Sequence, residues 1–406
     1  MTPRSNSDSH PTLRPSPSNG PLAGVTVVAL EQAVAAPFAT RQLADLGARV
    51  IKIERDTGDL ARGYDRTVKG VASHFVWLNR GKESIVLDVR SPKGNEVLHR
   101  LVDRADVLVQ NLAPGAADRL GVGSATLAKT HPELITCDIS GYGNSGPYRD
   151  KKAYDLLVQC EAGLVSITGT PETPSKVGIS IADICAGMYA YSGILTALFE
   201  RSETGRGANL EVSMLEALGE WMGYADYYQR YGGTSPARTG ASHATIAPYG
   251  PFPSKNGETV TLGLQNEREW ASFCTVVLHR PDLLEDTRFT GNAQRVAHRE
   301  ELDGIVCSVL GDLPTTEIIE RLDRASIAYG QQRTMAEFAD HPQLRARDRW
   351  QTFDTEAGPV EGLIPPVTVL GRQPTMRGVP ALGQHTQSVL EWLDIDASTP
   401  PAGTEG

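Results

Sequence analysis

Within the first 140 residues, five short apolar runs rich in β-formers recur: Val25–Leu30, Arg49–Glu54, Ser84–Asp88, Asp106–Asn111 and Leu134–Ser140. Helix signals lie between them. Pro37 opens a helix that Gly47 closes, Ser91-Pro92 starts another, a short one follows Pro114-Gly115, and Ala125–Lys129 supplies a fourth. Strands this continuously apolar need cover on both faces, which is the condition of a parallel sheet wrapped by helices. The expected class is therefore α/β, with a Rossmann-like parallel sheet in a large domain. Its crossovers are right-handed, and ligands belong at the carboxyl ends of its strands.

The pattern then changes. Tyr154 to about Leu164 and Ile184–Glu200 read as helices, and Leu215–Tyr228 reads as a further helix or linker. Tyr249–Pro253 and Thr259–Leu264 flank Asn256-Gly257, a strong hairpin signal, and helices near Glu267–Leu278, Ala293–Leu310 and Thr316–Arg324 follow. This segment predicts a smaller α+β domain. The expected division is a Ser/Pro-rich disordered tail over 1–20, the first part of the large domain over 21–214, linker and small domain over 215–330, a terminal part over 331–394, and a second tail over 395–406. The first twenty residues lack an apolar stretch of the kind a signal peptide needs. The net charge of −10 argues against nucleic acid or an anionic membrane surface as partner. No apolar run reaches membrane-spanning length free of charge or turn residues. Five cysteines without a CxxC pair fit reduced thiols in a cytoplasm, and neither disulfides nor a metal site.

One acid stands out. In KVGISIADICAGMYAYSGILTALFERSETGRG, Asp183 precedes a long apolar run that ends at Arg201 and the turn Thr204-Gly205-Arg206-Gly207. Asp183 is expected to cap a buried helix whose aligned N–H groups favour its ionised form, with Ala186 and Gly187 leaving room above it. A carboxylate so held can attack an electrophile, although an Asp in this place is more commonly only a cap. Cys185 reads as a small buried hydrophobe. The stretch around Asp183 resembles the signature of the family III CoA-transferases, the formyl-CoA transferase and carnitine CoA-transferase group (CaiB/BaiF family). The resemblance runs from about Pro21 to Asp394. It implies that Asp183 is the nucleophile, that a coenzyme A thioester is the substrate with no covalently bound cofactor, that the terminal part returns to the large domain, and that two subunits interlock as a homodimer.

The loop Glu31–Pro37 joins the first strand to its helix but lacks the glycines of GxGxxG, so Glu54 is weak evidence for NAD. The resemblance implies that Gln32, Ala33 and Ala35 line the thioester site. It makes Arg55, Arg119 and Lys152, which otherwise read as surface charges, candidates for the phosphates or adenine of CoA. Asn111 and Leu112 match a nucleotide-contacting turn, with Leu112 and Ala113 where an aromatic and a glycine are common. Leu87 and Arg90 match another edge of that pocket. Related α-methylacyl-CoA racemases carry a His-Asp pair where this chain has Tyr154-Asp155. Racemisation needs two acid/base groups about one carbon, so Tyr154 favours transfer. Arg62, Arg66 and His243 are candidates for the acid substrate, and Gln265 and Asn266 for holding an oxygen, Asn266 reading equally as a helix cap. Neither GxxxxGK[ST], GxSxG nor HExxH occurs. The expected activity is CoA transfer from an acyl-CoA, with succinyl-CoA as candidate donor, to a small dicarboxylate. An acyl-CoA racemase or epimerase and a non-catalytic acyl-CoA-binding protein are the alternatives.

Overall fold

The structure, a computed structural model, describes residues 20–395, so the expected tails lie almost wholly outside the described residues. The chain forms two compact units. One takes the chain up to Val158, Ser180–Leu218 and everything from Asp348; the other takes Gln159–Ile179 and Gly219–Arg347.

The first unit is built on a six-stranded sheet of β1 (Thr26–Leu30), β2 (Arg49–Glu54), β3 (Lys82–Val86), β4 (Val107–Gln110), β5 (Ile135–Ser140) and β6 (Asn209–Ser213). The order is β3-β2-β1-β4-β5-β6, and every neighbour pair is parallel. The doubly wound α/β expectation holds. The five apolar runs became β1–β5. Only β6 was not expected. NLEVS sits at the sheet edge, its first four residues alternately exposed and part-buried, and so carries no continuous apolar signal. Val28, Ile51, Ile85 and Leu108 pack on one face against Leu98 and Leu101 of the Pro92–Asp103 helix. That helix starts as its sequence indicates, with Pro92 in the first turn and the Ser91 hydroxyl accepting the Gly94 N–H at 3.0 Å. The same core takes in Val389 and Leu390 of the Thr386–Trp392 helix. Just before that helix, the His385 ring and the Thr386 hydroxyl accept the Ser84 and Val86 N–H groups, covering the free edge of β3.

In the second unit, β7 (Tyr249–Pro253), β8 (Thr259–Gly263) and β9 (Tyr329–Gln331) form an antiparallel sheet, with the anticipated hairpin between the first two. Phe252, Trp270, Phe273, Phe289, Leu302 and Ile318 fill its core. Pairing of β9 with β8 keeps the chain in this unit past residue 330, so the chain rejoins the first unit at Asp348 and not at 331. There β10 (Trp350–Phe353) and β11 (Val360–Leu363) make a small antiparallel ribbon.

Several long helices predicted from periodicity are broken. Leu215–Tyr228 divides at Met222 into Met214–Trp221 and Gly223–Gly232, and Ala293–Leu310 divides at His298. Glu267–Ser272 passes into a π-helical turn, Phe273–Val277. Tyr154–Leu164 becomes Asp155–Glu161 and Leu164–Ile167, interrupted by Gly163 at φ +80°. The Asp183 helix is longer than expected, Ile181–Thr204, and stops at Gly205, whose φ of +69° suits a residue without a Cβ. By length and composition it is the one described helix long and apolar enough to cross a membrane, though Asp183, Glu200 and two glycines interrupt it as expected; it buries Ala182, Cys185, Ala186, Gly187, Ala190, Ile194 and Ala197 within the protein.

Candidate active site

The sheet order reverses between β1 and β4, the kind of point at which ligands of such sheets lie outside the carboxyl ends of the strands. The residues implied for CoA follow strand ends at this edge: Gln32, Ala33 and Ala35 after β1, Arg55 after β2, Leu87 and Arg90 after β3, and Asn111, Leu112 and Arg119 after β4. The loops after β1 and β4 are joined by a two-way clamp. Asn111 accepts the Gln32 N–H through Oδ1 and donates through Nδ2 to the Gln32 carbonyl, both at 2.9 Å. The Gln32 side chain accepts from Arg55 at 3.4 Å. Arg55, Arg90, Arg119 and Lys152 are exposed and in no salt bridge among the described residues, which leaves their cations available to an anion. Leu87 is different. At 3% exposure its side chain is part of the core beneath the sheet, so the expectation that it edges the pocket is corrected for the side chain. Leu112 packs partly against that core, and its N–H is taken by Gln110 Oε1.

Under the loop after β1 lies a buried charge network that no sequence motif had indicated. Lys52, fully enclosed, bonds Asp59 at 2.6 Å and the Glu31 carboxylate and carbonyl at 3.3 Å each. Lys82 bonds Glu31 at 2.6 Å, and Arg62 forks onto Glu54 with two bonds of 2.8 Å. Three carboxylates thus face three cations. Burial opposes the charge on each acid, but the adjacent lysines and arginine outweigh it and hold Glu31, Glu54 and Asp59 below their ordinary range. Burial brings Lys82 down to about 8. A signal was present: Lys52 and Glu54 interrupt an apolar parallel strand two residues apart, on the same face. Arg62 is committed to Glu54, which corrects the expectation that it is free to bind the substrate acid. Arg66 lines a cleft of about 300 Å³ with Arg62 and Glu356.

Asp183 sits in the first turn of its helix but does not cap it. Asp155 does that, accepting the Ala182 N–H at 2.8 Å and the Asp183 N–H at 3.4 Å. The Asp183 carboxylate instead faces the N–H of Ala35, the first residue of the Ala35–Asp45 helix, which favours its ionised form. Burial and the negative Asp155 outweigh this favourable dipole and push its pKa up to about 7, against the expectation that the ionised form is favoured. Gly187, one turn on, does not leave open space above the acid: a Cβ there would stand 2.7 Å from the Ala35 carbonyl and 3.0 Å from the Phe38 ring. Its missing side chain is what admits the Ala35–Asp45 helix. Burial raises the pKa of Tyr64, and Asp59, Asp183 and Tyr154 add to the rise. Tyr154 itself is 70% exposed. Burial and Asp155 drive the Cys185 thiol up to about 12, in keeping with a packing role.

In the second unit, His243 stacks on Tyr249 with centroids 5.2 Å apart, and its Nδ1 accepts the Thr245 N–H. Asn266 caps the Glu267–Ser272 helix by accepting the Glu269 N–H at 3.0 Å, and the Gln265 N–H is taken by Glu269.

Residues 22–386 match the model of CoA-transferase family III. The chain is 35% identical to an acetyl-CoA:oxalate CoA-transferase of Acetobacter aceti, over 82% of this chain and 86% of that one. It is 31% identical to a succinate–glutarate CoA-transferase of Agrobacterium fabrum, over 92% and 96%. Among solved structures, a CaiB/BaiF family protein from Brucella suis aligns over 93% of this chain and 100% of that one, with a TM-score of 0.81 and 31% identity.

Proposed function

The chain belongs to CoA-transferase family III, and from that premise we propose that it moves CoA from an acyl-CoA, with succinyl-CoA the candidate donor, to a small dicarboxylic acid through covalent attachment at Asp183. The observation that carries this reading is the Asp183 carboxylate: pKa about 7, facing the Ala35 N–H at the amino end of the Ala35–Asp45 helix, beside the topological switch point of the sheet. Raised basicity makes a carboxylate a better nucleophile while a usable fraction stays ionised near neutrality. Relatives named for oxalate and glutarate support the dicarboxylate class.

In the first step an Asp183 oxygen attacks the donor thioester carbonyl, the C–S bond breaks, and an aspartyl anhydride and CoA thiolate result. The thiolate attacks the aspartyl carbonyl, which releases the donor carboxylate and leaves an aspartyl thioester. The acceptor carboxylate attacks this thioester to give a new anhydride and thiolate. The thiolate then takes the acceptor's acyl group, and the Asp183 carboxylate is restored. One thioester is exchanged for another, so no ATP enters. Peptide N–H groups such as that of Ala35 suit the oxyanions that develop at the aspartyl carbon. Exposed Arg55, Arg90, Arg119 and Lys152 suit CoA phosphates. Exposed Tyr224, Tyr227 and Tyr231 along the Gly223–Gly232 helix fit the homodimer included in this reading.

Asp183→Ala is expected to bind CoA thioesters yet transfer none. Hydroxylamine added during turnover of the native enzyme is expected to leave Asp183 as its hydroxamate in peptide mass spectra. Turnover retained by the Ala variant would remove Asp183 from the mechanism.

A further inference from the structure

The loop between β1 and the Ala35–Asp45 helix is held at three consecutive backbone positions, each from a different side chain. Lys52 Nζ, rising from β2, donates to the Glu31 carbonyl at 3.3 Å. Asn111, at the end of β4, takes both the N–H and the carbonyl of Gln32. Asp59 Oδ1 accepts the Ala33 N–H at 3.0 Å. Asp59 is itself fixed: its other oxygen meets Lys52, its N–H is bonded by Glu54, and the Lys52 and Asp59 side chains are both fully enclosed. What these contacts hold is a disfavoured conformation. Ala33 has φ +63°, in the left-handed region where a side chain crowds the following carbonyl. Two residues later Ala35 directs its N–H to Asp183.

We propose that Asn111 and Asp59 are positioning residues, which by clamping Gln32 and Ala33 hold the left-handed turn that aims the Ala35 N–H at the Asp183 carboxylate. The inference rests on Asp183 being the reacting group. It gives Asn111 a task other than contact with the nucleotide, and it gives the charge network buried beneath the loop a task as well.

The charged and titratable groups around Asp183 are Asp155 at the start of the Asp155–Glu161 helix and Tyr64, with Cys185 on its own helix. Asn111 is neutral, so replacing it alters none of these charges and reaches Asp183 only through the loop. Asp59 lacks that advantage, because its loss strands Lys52 as an unpaired buried cation. The test therefore uses Asn111→Ala, with Asn111→Leu as a volume-conserving second variant. The Asp183 carboxyl is titrated by infrared difference spectroscopy in the substrate-free protein, with Asp183→Asn as the blank. Because an N–H facing the charged form lowers a carboxyl pKa, turning it away is expected to raise the midpoint, by up to about one pH unit. In turnover, kcat is expected to fall about tenfold or more as the reacting group is misplaced. KM for the acyl-CoA should stay within about threefold, since ground-state binding is untouched. An unmoved midpoint in a variant that melts like the native protein overturns the proposal. A rise in KM alone also overturns it and puts Asn111 on the nucleotide. The infrared titration needs no turnover, so it stands or falls separately from the acylation of Asp183.

Discussion

The burial of Asp183 comes at the expense of stability. Its carboxyl pKa lies at about 7, well above that of an unfolded aspartate. Between those two values the folded protein binds more protons than the unfolded chain, so this residue's contribution weakens as pH rises from about 4 to 7. That sign leads to a test. Asp183→Asn removes the charge and keeps an acceptor for the Ala35 N–H, so it is expected to stabilise the protein at pH 8 by roughly 1–3 kcal/mol, the full shift being discounted for solvent access. The gain should shrink toward about pH 4, where the native side chain is already neutral. Chemical denaturation at the two pH values reads the difference; equal effects at both would detach the stability change from this titration. An acid before an apolar helix was legible in the sequence. Its neighbour Asp155 takes the helix N–H groups and helps to raise the Asp183 pKa, yet it lies 28 positions away along the chain, and only folding brings it there.

At the level of elements, the site depends on how closely two helices approach. Gly187 lies four residues, about one turn, beyond Asp183, so both face the Ala35–Asp45 helix. A methyl group at Gly187 meets the Ala35 carbonyl at 2.7 Å, a contact only backbone movement can relieve. Gly187→Ala is thus expected to cost about 1–3 kcal/mol as an overpacking substitution. It should lower kcat about tenfold or more by shifting the Ala35 N–H, as small misplacements do. A control, Gly193→Ala, would meet its nearest atom at an ordinary 3.5 Å and should be near neutral in both assays. Equal losses in the two variants would mean that helix composition, not this approach, is what matters. The GxxxxxG spacing of these glycines says nothing about which one is crowded. That depends on the partner helix, whose position follows from the β1–β2 crossover.

For the molecule as a whole, the homodimer reading predicts that light scattering finds two chains at nanomolar concentration and that dilution alone does not part them, since interlocked chains must unfold to separate. A chain that is monomeric in dilute buffer would sink that reading. The apolar strand runs, the hairpin at Asn256-Gly257, and the acid at residue 183 were all written locally, because continuous burial, turn geometry and helix ends each act over a few residues. Such local signals suffice to specify the doubly wound sheet and the edge at which its ligand-facing loops gather. The sixth strand, the terminal segment that covers β3, the pairing of Lys52 with Asp59 and Glu31, and the Asn111 clamp came into being only with the folded molecule. Each of these joins groups from separate strands or helices. Their strength comes from exclusion of water at a shared interior, a property no stretch of chain has until the sheet closes over it.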